Sequence, residues 1–321
     1  MTLVTGGTGF IGTHLLERLV AQGEAVRALV RRTRLPRPLP LGVETFYGDL
    51  VSGEGIADAL QGARAVIHLA GVTKALRPQD YYTGNVTATE QLARAMAGRG
   101  IRLVHISSLA AIGPSTPGAP LAEDAEPHPL THYGKSKLQA ESVVRTLAPD
   151  AVIVRPPVVY GPRDTDVFQL LKSISRGLVL EIAGGERWFS AIYVKDLAAG
   201  ILAAATSPRA AGRTYFLAHA APVSWRQLGA SAARIMARTP RVLTLPVAVA
   251  AAAGACGEIW ARLTRRPGIL SREKIAEARC MAWTCDTGRA ASELAFVAPT
   301  SLDDGLAATL AWYKEAGWLT Y

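Results

Sequence analysis

Short apolar runs rich in β-branched residues recur through the first half of the chain, at 3–5, 25–30, 43–46, 65–69, 101–106 and 151–155. Between most of them the apolar positions return at helical spacing, over about 10–22, 54–61, 79–98 and 132–147. Strands this continuously apolar suit burial on both faces, and alternation with helices predicts an α/β fold with a doubly wound parallel sheet. After residue 156 the rhythm changes. Pro and Gly punctuate RPPVVYGPRD, and helices are announced by capping signatures, Ser224 with Gln227 and Ser301 with Asp304. A strand signal at 214–217 lies between helices. The division expected is a nucleotide-binding domain over 1–156, with parts of 187–217 returning to it. A smaller, mainly helical substrate-binding region over 157–321 follows.

Composition narrows the class. The chain has 321 residues, 49 % hydrophobic and 19 % charged, which is globular and large enough for a sizeable core. Three cysteines do not pair into a disulfide framework, and Cys280 and Cys285 lack the neighbours of a zinc site, so no metal is expected. They read as buried or incidental thiols of a reducing compartment. The net charge is +9, but the arginines are scattered, with clusters only at 31–37 and 262–266. No aromatic-interleaved basic helix accompanies them, which argues against nucleic acid as a partner. The opening MTLVTGGTGF has no signal-peptide pattern, and a cytoplasmic location is expected. The Ala-rich stretch 246–266 contains the longest apolar run, 246–257, which falls far short of the roughly 20 apolar residues a bilayer span needs. It reads first as a core helix with a basic last turn, and second as a flap touching membrane or lipid substrate.

Candidate chemistry begins at the N-terminus. In TLVTGGTGFIG a strand runs into glycines and then into a helix. Gly6, Gly9 and Gly12, or Gly7, Gly9 and Gly12, have the spacing that lets a pyrophosphate approach the backbone and face free helix N–H groups. This makes the predicted sheet Rossmann-type. An NAD site usually places an acid about 20 residues further on, to bind the ribose hydroxyl. Here Arg31 and Arg32 stand there, which favours NADP(H) over NAD(H). Asp49, in GDL, follows another strand; it suits either the adenine amine or a turn. HLAG, at 68–71, ends a strand at the cofactor-facing edge.

HISSLAAIG follows the fifth strand, where a hydroxyl can meet a substrate carbonyl oxygen. Then HYGKSK places Tyr133 and Lys137 four apart, neighbours on one helix face. A free phenol has a pKa of about 10, and a nearby ammonium is expected to lower it into the range of proton transfer.

With these motifs in this order, the chain resembles an extended short-chain dehydrogenase/reductase of the NAD-dependent epimerase/dehydratase superfamily. The likeness runs over nearly the whole chain, through TGGTGFIG, GDL, HLAG, ISSLAAIG, YGKSK, RPPVVYGPRD and WFSAIYVKDLAAGI. It implies Ser108, Tyr133 and Lys137 as the catalytic set, with Ser107 the neighbour most easily confused with Ser108. The cofactor residues it implies are Gly6, Gly9, Phe10, Ile11, Gly12, Arg31, Arg32, Asp49, Leu50, Leu69, Ala70, Gly71, Asn85, Tyr133, Lys137, Pro156 and Val158. The family's N-V-x-G-T run is NVTAT here, with Ala88 replacing glycine, and Ile112 stands where a tyrosine usually precedes Gly113. That second departure weakens a nucleotide-sugar epimerase or dehydratase reading. The C-terminal stretches 263–279, 286–296 and 301–319 are similar to the 3β-hydroxysteroid dehydrogenase and dihydroflavonol reductase branch. The resemblance therefore implies an NAD(P)-dependent oxidoreductase acting on a secondary alcohol or ketone of an apolar, steroid- or flavonoid-like small molecule. It also implies a homodimer formed through the helices at 79–98 and 132–147. A catalytically silent cofactor-binding regulator is a third reading, against which the complete Ser, Tyr and Lys set argues.

Overall fold

A computed structural model describes residues 1–32, 38–265, 268 and 271–321. Of the predicted basic clusters, Arg34, Arg37 and Arg266 lie outside the described residues.

The first strands and helices follow the apolar rhythm closely. They are β1 (Thr2–Thr5), α1 (Phe10–Ala21), β2 (Val26–Val30), β3 (Val43–Tyr47), α2 (Ile56–Ala59), β4 (Ala65–His68), α3 (Pro78–Tyr82), α4 (Ala88–Met96), β5 (Arg102–Ile106), α5 (His132–Leu147) and β6 (Val152–Arg155). The chain continues through β7 (Val158–Tyr160), α6 (Val167–Ser175), β8 (Leu178–Ile182), β9 (Trp188–Phe189), β10 (Ala191–Tyr193), α7 (Val194–Thr206) and β11 (Thr214–Phe216). It ends with β12 (Val223–Ser224), α8 (Trp225–Ile235), β13 (Arg241–Leu245), α9 (Val247–Thr264), α10 (Arg272–Arg279), β14 (Ala282–Trp283), α11 (Gly288–Leu294) and α12 (Leu302–Glu315).

Seven strands form one parallel sheet in the order β11-β6-β5-β4-β1-β2-β3. Successive side chains point to opposite faces, so each strand feeds two cores. Leu3, Val66, Leu103 and Ile153 pack with Ile56, Leu92 and Val144 on one face. Val4, Ile67, Val104 and Val154 pack with Leu15, Leu16, Leu197 and Ile201 on the other. The strand order reverses between β1 and β4, which opens a crevice at their C-terminal ends. Chain from beyond residue 187 does return to this sheet: α7 covers one face and β11 joins the edge beside β6.

A second core lies in the C-terminal part, around Leu171, Phe189, Leu228, Leu310 and Tyr313, with Trp312 and Trp318 packed against it. Ser224 makes the full reciprocal box with Gln227, and the Ser301 hydroxyl accepts from the Asp304 N–H. Asp196, in the YVKD stretch, accepts from the Thr300 N–H and hydroxyl, both at 2.9 Å. It thereby fastens the approach to the last helix against the sheet domain.

Two elements depart from the expected pattern. The helix expected over 79–98 is three pieces, with a π turn at Thr83–Thr87 between α3 and α4. Here the Thr89 hydroxyl takes the Asn85 carbonyl at 2.6 Å, competing with the backbone ladder. The stretch 246–266 is not a core helix. In α9 only Ala250, Gly254 and Ala261 are buried, while Ile259, Trp260 and Leu263 are 56, 69 and 75 % exposed. Its inward side chains are too small to anchor a core position. Cys256 is exposed on it, whereas Cys280 is half-buried and Cys285 buried.

Candidate active site

The crevice is built by glycine. Gly6 has φ +73°, and a Cβ there would lie 2.6 Å from the Ala70 nitrogen. The loops after β1 and β4 therefore touch, with Leu69, Ala70 and Gly71 beside the glycine turn. A Cβ on Gly12 would lie 2.2 Å from the Gly6 carbonyl oxygen, so α1 closes directly onto the turn. Gly9 caps α1 without a side chain, and no acid stands in the first turn. Phe10 and Ile11 open the helix. A backbone cradle that a side chain would fill, facing uncapped N–H groups, fits a dinucleotide pyrophosphate.

Other predicted cofactor residues fall around this cradle. Arg31 and Arg32 are exposed just past β2, with the Arg32 guanidinium 5.5 Å from the centre of the Tyr47 ring. Asp49 is a turn residue: its Oδ1 accepts from the Val51 N–H at 2.7 Å, and Leu50 lies within that turn. Asn85 is buried and braces the crevice. Its Oδ1 accepts from the Val72 N–H at 2.7 Å, and its Nδ2 donates to the Val72 carbonyl and the Ser136 hydroxyl. Its side chain therefore ties the HLAG loop to α5. The Pro156 carbonyl accepts from the Leu109 N–H at 2.9 Å, and Val158 begins β7.

The reactive groups converge at the start of α5. Thr131 caps that helix by accepting from the Gly134 N–H at 3.1 Å. Gly134 is needed because a Cβ there would lie 2.3 Å from the Ala110 carbonyl oxygen. Its absence lets α5 press on the short turn Leu109–Ala111 that Ser108 caps. Ser108 is thus brought to the Tyr133 phenol, whose charged form it favours. Ser107 points elsewhere, donating to Glu141 Oε1 at 2.5 Å. Glu141 in turn pairs with Arg155 through bonds of 2.8 and 2.6 Å, both side chains buried.

The electrostatics differ from the simple picture of an ammonium lowering a phenol. Burial pushes the Tyr133 phenol above its ordinary range, with the Ser108 side chain and then the Lys274 charge acting against that rise. Lys137 is directed into the protein, where Nζ donates to the Ile106 carbonyl at 2.6 Å. Burial holds its ammonium down at about 8, opposed by Glu141. Near neutrality the phenol is therefore neutral, while Lys137 keeps its charge but gives up its proton more easily than an exposed lysine.

Two buried histidines interact with Lys137: His68, the first residue of HLAG, and His105, the first of HISSLAAIG, neither of which was assigned a role. The Thr89 hydroxyl proton goes to Asn85, so Thr89 accepts from His68 Nε2–H at 2.9 Å. His68 Nδ1 then accepts from the Thr5 hydroxyl at 2.7 Å. Burial and then the Lys137 charge depress His68 to about 3 and His105 well below its ordinary value. Neutral rings avoid adding positive charge near Lys137. Each is the fourth residue of its strand, and the register pairs them across β4 and β5.

The sheet, its crevice and the glycine cradle define a doubly wound dinucleotide-binding protein. The model of the NAD dependent epimerase/dehydratase family matches residues 2–218, and the chain belongs to that family. It is 32 % identical over 317 residues to a ceramide reductase of Caulobacter vibrioides, covering 98 % of this chain and 95 % of the relative. A 4-hydroxy-2-methyl-3-oxo-4-farnesyl-3,4-dihydroquinoline-1-oxide ketoreductase of Stigmatella aurantiaca is 33 % identical, covering 82 % and 81 %. An N-acetyl-alpha-D-glucosaminyl-diphospho-ditrans,octacis-undecaprenol 4-epimerase of Escherichia coli O157:H7 is 28 % identical, covering 96 % and 93 %. Among solved structures, MoeE5 in complex with UDP-glucose and NAD superposes with a TM-score of 0.79 at 26 % identity, over 98 % of this chain and 99 % of that one. The chain is thus an extended short-chain dehydrogenase/reductase enzyme of a family with both reductase and epimerase members.

Proposed function

We propose that this enzyme reduces a ketone on an apolar, lipid-like small molecule to a secondary alcohol, with Ser108, Tyr133 and Lys137 as its working groups. The observation that carries the reading is the convergence of Ser108, on the turn after β5, with Tyr133, in the first turn of α5. A Tyr133 hydroxyl held neutral by burial is a proton donor, as ketone reduction requires. Bound against the cradle of Gly6, Gly9 and Gly12, the cofactor supplies the hydride. The chain's own residues manage the oxygen. Ser108 donates a hydrogen bond to the carbonyl oxygen and orients it. Tyr133 gives its proton to that oxygen as negative charge develops. Lys137 stands behind them as a buried cation, which stabilises the phenolate left after transfer. Asn85 keeps the crevice loop and α5 in register.

The substrate class is supported by the reductases for a ceramide and a farnesylated quinoline among the relatives, and by Ile112 in place of tyrosine. Arg31 and Arg32 support NADP(H) as the preferred cofactor, since guanidinium groups pair with a ribose phosphate. The test is loss of NADPH absorbance with lipid-like ketones, and with NADH in parallel. Tyr133→Phe should lower turnover by about 10² to 10⁴ while cofactor affinity is kept. Near-normal turnover in that variant would refute the assignment, and tighter binding of NADH than NADPH would refute the cofactor preference.

A second reading, a sugar epimerase at the same site, is supported comparably by the undecaprenol-linked epimerase and by MoeE5. It predicts tightly retained cofactor and sugar inversion with no net NADPH consumption.

A further inference from the structure

The outward face of α9 carries large apolar side chains that the active site does not use. Val249, Cys256, Trp260 and Leu263 recur at spacings of seven, four and three, which places them on one stripe of the helix. Val249, Trp260 and Leu263 are 49, 69 and 75 % exposed, and Ile259 beside them is 56 % exposed. The opposite stripe, Ala250, Gly254 and Ala261, faces the protein. The helix thus turns its small residues inward and its large apolar ones outward, the reverse of an ordinary surface helix. Its one acid, Glu258, lies on the inner side, where it accepts from the Arg272 N–H at 2.9 Å. Arg262 flanks the apolar stripe and Arg265 ends it, both exposed.

The same helix is fastened to the catalytic one. A Cβ on Gly254 would lie 2.8 Å from Ile275 of α10, so α9 and α10 are in close contact. From α10, Glu273 Oε1 accepts from the His132 N–H at 2.9 Å, and Glu277 Oε1 accepts from the Thr131 hydroxyl at 3.2 Å. These are the residues immediately before Tyr133.

We propose that the outward face of α9 docks on the surface of a lipid bilayer carrying anionic headgroups. Large apolar side chains flanked by arginine, with no acid among them, match the acyl and phosphate layers of such a surface. A second copy of this chain fits less well, because a two-fold contact would set two basic patches against each other. No described helix is long and apolar enough to cross a membrane, so α9 would lie in the plane of the interface. The inference stands on this face and does not require the ketone assignment. Together with that assignment it means that α10 holds the proton-donating helix close to where a lipid-like substrate resides.

The test uses the full chain with phosphatidylcholine vesicles, with and without phosphatidylglycerol. The protein should float with the anionic vesicles at low salt and less so at high salt. Trp260→Glu with Leu263→Glu should lower the bound fraction about tenfold or more. Arg262→Glu with Arg265→Glu should remove the preference for anionic vesicles. All four side chains are exposed, so thermal melting should show both variants folded. In a second measurement, a polarity-sensitive dye on Cys256, in a Cys280→Ser background, should shift to shorter wavelength with anionic vesicles only. Absence of flotation at low salt, or flotation unchanged by the glutamates, would overturn the proposal. So would sedimentation showing a vesicle-free dimer that shields Cys256. Because binding is read without turnover, failure of the ketone assay leaves this test intact.

Discussion

Replacing Lys137 by Met should remove activity and yet leave the fold as stable as the parent, or more so, near neutrality. The Lys137 side chain is 4 % exposed and its ammonium is held at about 8 against an ordinary 10.5. A depression of that size corresponds to roughly 3 kcal/mol of folding free energy lost while the unfolded chain keeps the proton and the folded chain resists it. The sign follows from proton counts. Below about pH 8 both states carry the proton and the cost is complete. Between about 8 and 10.5 the unfolded state binds more protons, so stability rises with pH and the cost is recovered. The Met variant has no such term, although it leaves the Ile106 carbonyl without its 2.6 Å donor, a loss of about 1–3 kcal/mol. At pH 7 the two effects leave the variant between equal and about 2 kcal/mol more stable. Urea unfolding of both proteins at pH 7 and pH 10 measures this directly. The difference between them should move by about 3 kcal/mol in favour of the parent as pH rises. Other groups titrating in that range cancel in the difference. A difference independent of pH, or a variant several kcal/mol less stable at pH 7, would show that the buried ammonium is not under this penalty.

Three further outcomes follow from the same geometry. Gly134→Ala places a methyl group 2.3 Å from the Ala110 carbonyl oxygen and should separate Ser108 from Tyr133, costing about 1–3 kcal/mol in a melting assay and lowering turnover more than substrate affinity. Glu141→Gln leaves the buried Arg155 guanidinium without its charge partner and should destabilise the fold by about 3–5 kcal/mol in urea unfolding, whatever its effect on activity. Ser108→Ala should lower turnover with little change in unfolding midpoint, whereas Ser107→Ala should act mainly on stability, because Ser107 donates to Glu141; equal effects on turnover would remove the distinction between them.

The sheet domain was legible because each strand and helix is its own apolar run, and because glycine is required where backbones meet. The phosphate cradle shows the point: Gly6 and Gly12 are identifiable in TGGTGFIG, and contacts of 2.6 and 2.2 Å explain why. The order of TGGTGFIG, ISSLAAIG and YGKSK brought in the family resemblance, and the glycine requirement continues into YGKSK through Gly134. What could not be read is the direction of each side chain at the end of a long-range contact. Spacing put Tyr133 and Lys137 on one helix face, yet Lys137 reaches inward to Ile106 and the phenol is raised by burial. By position Asp49 suited either an adenine contact or a turn, and only the structure shows its Oδ1 accepting within a turn. His68 and His105 gain their meaning only from the register of β4 with β5. The π turn at Thr83–Thr87 was likewise hidden, because a helical period of apolar residues does not record which carbonyl a threonine will take.

The stretch 246–266 shows a different limit, and it bears on function. Ala and Gly at helical spacing are compatible with a buried helix and with one that leans its small face on a neighbour. Nothing local distinguishes the two, since both need close approach. The difference lies in what α10 offers: Ile275 fills the space at Gly254, and Glu273 and Glu277 then carry the helix pair onto the start of α5. Once that face is used, Trp260 and Leu263 have no protein left to pack against among the described residues. A pull or rotation of α9 at a bilayer would therefore be transmitted through two hydrogen bonds to Thr131 and His132, the two residues immediately before Tyr133. If that coupling operates, Glu273→Gln with Glu277→Gln should leave vesicle binding intact while removing any activation of turnover by vesicles. Activation that survives the double substitution would place the communication elsewhere.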